Sequence, residues 1–210
     1  MEIFGVEFES WNVVLFSLNW FAIVLLLVII IVISWIFSAV NNRINRKSIT
    51  INEISLGIGD SSVKLTYNKK DQEIAYKLWI ELSTRKIGLV FDKEHDVITE
   101  VYDSWYEFFK IARELLKDIP ASRLPYSNGL IELTEKVLNK GLRPHLTTWQ
   151  AKYRKWYEKE LANNTEDTPQ ELQRKYPHYD ELVDDLIDTN MRMIEYKNLM
   201  KGIAFLGKQS

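Results

Sequence analysis

Apolar positions are spread unevenly along the 210 residues of the chain. From Ser10 to Asn42 no side chain carries a charge, and Trp20 to Phe37 is apolar except for Ser34. At 1.5 Å per residue that run spans about 27 Å, close to the ~30 Å hydrocarbon thickness of a bilayer. Val24 to Ile33 keeps no polar stripe, which a helix packed on a soluble core would show. The pattern therefore predicts a membrane-spanning helix, with Trp11 and Trp20 at one interface and Trp35 at the other. A cleaved signal peptide is the alternative, and the flank opposes it. Glu2, Glu7 and Glu9 precede the run without Lys or Arg, and no small-residue cleavage site follows.

The pattern changes after Asn42. Ile49-Thr50-Ile51, Ile54 to Ile58 and Val63 to Tyr67 alternate, with Gly59-Asp60-Ser61-Ser62 as turn material, so a β-hairpin is expected there. Beyond it the spacing becomes three and four. Ile74, Ala75, Leu78, Trp79 and Leu82 predict a helix capped by Asp71 and ending near Gly88. Val97, Ile98, Val101, Trp105, Phe108, Phe109, Ala112, Leu115, Leu116 and Ile119 form one long stripe stopped by Pro120. Leu130, Leu133, Val137 and Leu138 predict a shorter helix ending at Gly141. Pro144 then opens a helix through Leu146, Trp149, Tyr153, Trp156 and Leu161. Thr168-Pro169-Gln170-Glu171 reads as a capping box. The last stripe runs from Leu182 and Val183 through Leu186, Met193 and Ile194 to Leu199. The expected fold is mainly α. Residues 1–10 form a short extracytoplasmic stub, 11–42 the transmembrane helix and its interfacial flanks, 43–69 a basic junction with the hairpin, and 70–210 a helical bundle.

Charge adds orientation. Arg43, Arg46 and Lys47 follow the apolar run, and the positive-inside rule then puts the amino terminus outside and the bundle in the cytoplasm, at the inner membrane of a cell. The whole chain has 27 basic and 29 acidic residues and a net charge of −2, which excludes a globally basic nucleic-acid binder. It has no Cys, and so no disulfide framework, Cys-based zinc site or thiol nucleophile.

Candidate chemistry is sparse. His95, His145 and His178 lack metal-ligand spacing, and no phosphate-cradling or nucleophile-elbow motif occurs. No metal and no cofactor is expected. Between Lys136 and Lys159 cations and aromatics interleave, with Lys152, Arg154, Lys155 and Lys159 beside Trp149, Tyr153 and Trp156. That composition suits single-stranded RNA or lipid headgroups. It equally suits aromatics turned into the core, with the cations in water or paired with Asp180, Glu181, Asp184, Asp185 and Asp188. Those five acids lie opposite an apolar stripe and read as a solvated face.

An apolar anchor followed by a helical bundle with two Arg/His pairs, Arg143-Pro144-His145 and Arg174 to His178, resembles the HEPN-like membrane accessory proteins of type VI-B CRISPR loci and related bacterial anti-phage systems. The resemblance implies a membrane-embedded ring that permeabilises the inner membrane when a partner nuclease is active. Both pairs are shorter than the Arg-x4-to-x6-His spacing of HEPN ribonucleases, so no catalytic role carries over with it. The expectation is a single-pass, self-associating, non-enzymatic effector that couples a cytoplasmic signal to membrane perturbation or pore formation. Its partners are the lipid bilayer, further copies of itself, and a protein or RNA in the cytoplasm. Two alternatives stand beside it. One is a tethered RNA-binding or RNA-cleaving module using Arg143, His145, Arg174 and His178, and the other is a scaffold that recruits one cytosolic protein.

Overall fold

The structure is a computed structural model that describes residues 4–10, 13–18, 20–44, 47–52 and 62–205, with side chains described for 20–21, 23–39 and 65–205. It is mainly α-helical and divides into two units, Met1–Arg46 and Lys47–Ser210.

The first unit holds strands β1 (Phe4–Ser10) and β2 (Val13–Leu18) and helix α1 (Trp20–Ile44). The strands pair antiparallel, with Phe4 opposite Leu18, Val6 opposite Phe16 and Phe8 opposite Val14. This corrects the expected boundaries: residues 13–18, assigned to the transmembrane segment, are a strand, and the helix begins at Trp20. Periodicity could not separate the two because the whole stretch is uncharged, but β-branched Val13 and Val14 and aromatic Phe16 favour a pleated surface. Trp11 and Asn12, at the link between the strands, lie outside the described residues.

Helix α1 is apolar on every side. Leu25, Ile31, Trp35 and Phe37 are each more than 60% exposed, and no large apolar residue described in this helix is buried. Among the described residues no helix is long and apolar enough to cross a membrane. The side chains described in α1 run unbroken only over 23–39, although its backbone is helical over all 25 residues.

The second unit begins with β3 (Lys47–Asn52) and β4 (Ser62–Tyr67), paired antiparallel with Ile49 opposite Leu65 and Ile51 opposite Val63. Residues 54–58 and 59–61, expected as strand and turn, lie outside the described residues. Helix α2 (Lys69–Thr84) follows. Its cap is Asn68 rather than Asp71: the Asn68 side chain accepts from the backbone of Lys70 and Asp71, and Asp71 accepts in return from Asn68 N–H. Asp71 thus holds the third position of a capping box. Helix α2 stops at Thr84, and a 3-10 turn covers Lys86–Gly88. Helix α3 (Ile98–Lys117) carries the expected stripe, together with a fully buried Tyr102.

The next stretch departs furthest from expectation. Helix α4 (Leu124–Lys136) does not end at Gly141. It runs into a π-helical segment at Val137–Leu142, a three-residue α-helix α5 (Arg143–His145), a second π segment at Leu146–Gln150 and helix α6 (Ala151–Asn163). Pro144 lacks the N–H for an α-helical bond and crowds the carbonyl four residues back. Widened turns on either side let the chain pass the proline without unravelling. The Thr148 hydroxyl donates to the Pro144 carbonyl at 2.9 Å on the same rod. Tyr157 is buried on α6, whereas the predicted core residue Leu161 is exposed.

Helix α7 (Pro169–Gln173) has the predicted Thr168/Glu171 capping box, and α8 (Tyr179–Phe205) closes the bundle. Helices α2 and α8 pack along each other, and β4 lies on α4. Gly129 on α4 admits Leu65 so closely that a Cβ would stand 2.6 Å from Leu65 Cδ1. The core between these elements is built from Leu78, Leu82, Trp105, Phe108, Leu186, Tyr196 and their neighbours, all without exposed surface.

Two buried amides knit distant backbone together. Asn190 accepts from Phe91 N–H at 3.1 Å and donates to the Ile87 carbonyl at 3.0 Å. Gln173 accepts from Ile98 N–H at 3.0 Å and donates to the Asp96 carbonyl at 2.9 Å. Val97, the N-cap of α3, offers no side-chain cap, so a residue of α7 satisfies that helix end instead.

Candidate functional site

The kinked rod from α4 to α6 sends consecutive side chains to opposite sides. His145 turns inward and has no exposed side-chain surface. Its Nδ1 lies 2.8 Å from Asp185 Oδ2 on α8, and its Nε2 lies 3.1 Å from the Tyr102 hydroxyl on α3. Asp185 also accepts from Trp149 Nε1 at 2.9 Å. A carboxylate can only accept, so Nδ1 carries the proton and Nε2 receives the Tyr102 O–H. The ring stands 5.4 Å from that of Trp105, centroid to centroid.

Electrostatics follow from this enclosure. Burial pulls the His145 imidazole below its ordinary value of 6.5, and the bond to Asp185 opposes that without reversing it. Burial pushes Tyr102 above the ordinary phenol range, and Tyr153 behaves likewise. The three-helix relay Asp185–His145–Tyr102 ends in the core. Its inner end has no surface from which a substrate could be reached.

Arg143, two residues earlier, turns outward. A cleft of about 270 Å³ opens there between two helical faces. Tyr106, Phe109, Lys110 and Arg113 line it from α3, and Arg143, Leu146, Thr147 and Gln150 line it from the rod. Each set follows the three-and-four spacing of a single helix face. The Arg143 guanidinium carbon lies 4.9 Å from the centre of the Phe109 ring and that of Arg113 lies 5.5 Å from it. Arg143 Nε donates to Asn139 Oδ1 at 3.0 Å, and Lys110 stands 3.8 Å from Glu107. The lining contains no carboxylate.

The remaining predicted site residues disperse. His178 is exposed and bonds to Glu181 at 3.2 Å, while Arg174 is exposed at the end of α7. Neither contacts Arg143 or His145. Arg154 pairs with Asp103 at 2.7 Å, Lys159 stands 3.7 Å from Glu160, and Lys152 and Lys155 are exposed. Among the described residues none of these four cations pairs within the chain with an acid of the 180–188 segment. Asp185 differs from its neighbours on that face: 43% of its side chain is exposed, and the same carboxylate accepts from His145 and Trp149. Trp149 and Trp156 pack half-buried against the core, and Tyr153 is enclosed. The Trp20 and Phe21 rings lie 4.5 Å apart, centroid to centroid, tilted by 48°, and Trp35 is 73% exposed. Trp11 and Arg46 lie outside the described residues, as do the side chains of Arg43 and Lys47. The described residues contain no cluster of three or more metal-ligating side chains.

Sequence reasoning missed Tyr102, Phe109 as a platform, Lys110, Arg113 and Asp185 as site residues. The only available signal was Tyr102, Tyr106, Phe109 and Arg113 falling one turn apart on a helix already read as core. No family model, curated protein or solved structure matches the chain.

Proposed function

We propose that this chain is a membrane-anchored, self-associating, non-enzymatic accessory or effector protein. Its helical unit answers a cytoplasmic signal and perturbs the bilayer, after the manner of the anti-phage systems its architecture resembles. The observation that carries the reading is α1. Sixteen large apolar side chains of this helix stand exposed. Returning half-exposed residues of that kind to an apolar surrounding is worth roughly 1 kcal/mol each, on the order of 15 kcal/mol together. A whole domain is stable by only about 5–15 kcal/mol, so such a helix does not persist in water. The apolar run of the sequence from Trp20 to Phe37 has a helical length of about 27 Å, close to the ~30 Å hydrocarbon layer, and this run supports the reading. Arg43, Arg46 and Lys47 then orient the helical unit to the cytoplasm. The antiparallel pair β3–β4, which starts at Lys47, is the membrane-proximal hairpin of this reading.

The RNA-cleaving alternative asks Arg and His to converge on one phosphate. Arg143 and His145 leave opposite sides of the rod, and the His145 ring is enclosed, so the geometry favours the non-enzymatic reading. Alkaline carbonate extraction of membranes from cells producing the full chain, followed by sedimentation of the detergent-solubilised protein, tests the proposal. The expected result is retention in the membrane pellet and an assembly larger than a monomer. Release by carbonate, or sedimentation only as a monomer, contradicts it.

A further inference from the structure

The cleft between α3 and the kinked rod has the chemistry of an anion receptor, and nothing in the membrane reading uses it. Three cations, Lys110, Arg113 and Arg143, line one small concavity without a lining carboxylate. Arg113 makes no ion pair among the described residues, and Arg143 spends only Nε, on a neutral amide. The two guanidinium carbons stand within about 10 Å of each other because both lie over Phe109. Both guanidinium groups line the cleft and meet an anion that enters it.

Contact with Phe109 holds both guanidinium groups at the cleft while leaving their Nη donors unspent. That is how arginine is organised to meet phosphate oxygens. The volume of about 270 Å³ lies just below the range of small-molecule sites, ~300 to 1,000 Å³. It suits one compact ligand rather than several residues of a nucleic-acid strand. The rest of the lining is not that of a bare phosphate site. Tyr106 presents an exposed ring for stacking, and Thr147 and Gln150 bring a hydroxyl and an amide that pair with sugar hydroxyls or a base edge.

Arg143, Leu146, Thr147 and Gln150 share a face toward the cleft by their three-and-four spacing, and the π-helical turns beside Pro144 are of a kind that recurs at functional positions in helices. We infer that the cleft of Phe109, Lys110, Arg113, Arg143, Thr147 and Gln150 binds a mononucleotide, its phosphate held by the cations and its nucleoside by the polar wall and Tyr106.

The test is titration calorimetry on the full chain in detergent micelles, with 5′-AMP, adenosine, inorganic phosphate and a short-chain phosphatidic acid as probes. Saturable AMP binding is expected, with adenosine and inorganic phosphate each at least tenfold weaker. Arg113→Ala and Arg143→Ala should each weaken AMP binding at least tenfold, and Arg143→Lys should fall between wild type and Arg143→Ala. Arg85→Ala, which removes a cation paired with Glu81 elsewhere on the surface, should change nothing. The substituted residues are exposed, so unchanged melting temperatures accompany the losses; if one variant fails to fold, Lys110→Ala carries the same prediction. No AMP binding at millimolar concentration overturns the assignment, as does equal binding of adenosine or binding indifferent to the arginines. Arginine-dependent binding of phosphatidic acid without AMP binding overturns it too, and moves the site to a lipid headgroup.

Discussion

Replacing Tyr102 by Phe removes one oxygen from the core and tests the assignment of the His145 relay. In the folded chain the Tyr102 hydroxyl lies 3.1 Å from His145 Nε2, and the imidazole has no exposed surface. Without that hydroxyl, Nε2 becomes a buried acceptor that has lost its partner. A group orphaned in this way costs about 1–3 kcal/mol. For a domain of this size each kcal/mol lowers the melting temperature by about 2–4 °C, so Tyr102→Phe should melt about 2–12 °C below wild type. The sign reverses in a His145→Leu background. There the Tyr102 O–H has already lost its acceptor, so removing it as well should be neutral or stabilising, since loss of both partners leaves no orphan. The assay is a double-mutant cycle on the full chain in detergent at pH 8, followed by circular dichroism with heat and with urea. Close contacts of this kind couple by about 0.5–3 kcal/mol. Equal costs of Tyr102→Phe in the two backgrounds would refute the hydrogen-bonded relay.

Stability should also fall on mild acidification. Because burial holds His145 below its ordinary value of 6.5, the unfolded chain takes up that proton first; stability is complete above about pH 6.5 and declines as pH falls toward the lowered value. His95 acts in the opposite sense, since Asp92 raises it and its contribution fades as pH rises; comparing urea midpoints of His145→Leu and His95→Asn between pH 5 and 8 should separate the two. Gly88→Ala should destabilise far more than Gly129→Ala. A Cβ at Gly88 would stand 2.0 Å from the Leu82 backbone oxygen, an overpacking at or beyond the usual ~1–3 kcal/mol. At Gly129 it meets the rotatable end of Leu65, and the alanine recovers up to ~1 kcal/mol of helix propensity. Gln173→Ala should cost about 1–3 kcal/mol and speed amide exchange at Ile98, whose N–H it orphans.

How much of this was written locally can be argued residue by residue. The α3 stripe, the Thr168/Glu171 box and the strands at 49–51 and 63–67 follow from periods of 3.6 and 2 and from capping chemistry, all of which act within a few residues. Gly141 and Pro144 are helix breakers by the same local rules, and here those rules fail. Packing of Leu138, Leu142 and Tyr153 into the core, with π turns around the proline, keeps the rod continuous. Strand β2 is hidden because an uncharged stretch reads as apolar at any period, whereas β1 alternates Phe4, Val6 and Phe8 with Gly5, Glu7 and Glu9 and is legible at period 2. The relay was illegible for another reason: His145 meets partners 43 and 40 positions away, and only the tertiary fold brings them together. The cleft was half legible, since Arg143 drew notice as one of an Arg/His pair while its platform, Phe109, counted only as core.

If α1 spans the membrane as proposed, its two ends face opposite sides, and a chain without Cys allows that to be read directly. Single cysteines are introduced as Ser10→Cys, ahead of the helix, and Lys155→Cys, at an exposed position of the helical unit. A membrane-impermeant maleimide is then applied to spheroplasts and to lysed cells. Labelling of Ser10→Cys in intact spheroplasts, with Lys155→Cys labelled only after lysis, is the predicted result. Equal protection of both sites in intact cells, or labelling of Lys155→Cys before lysis, would contradict it.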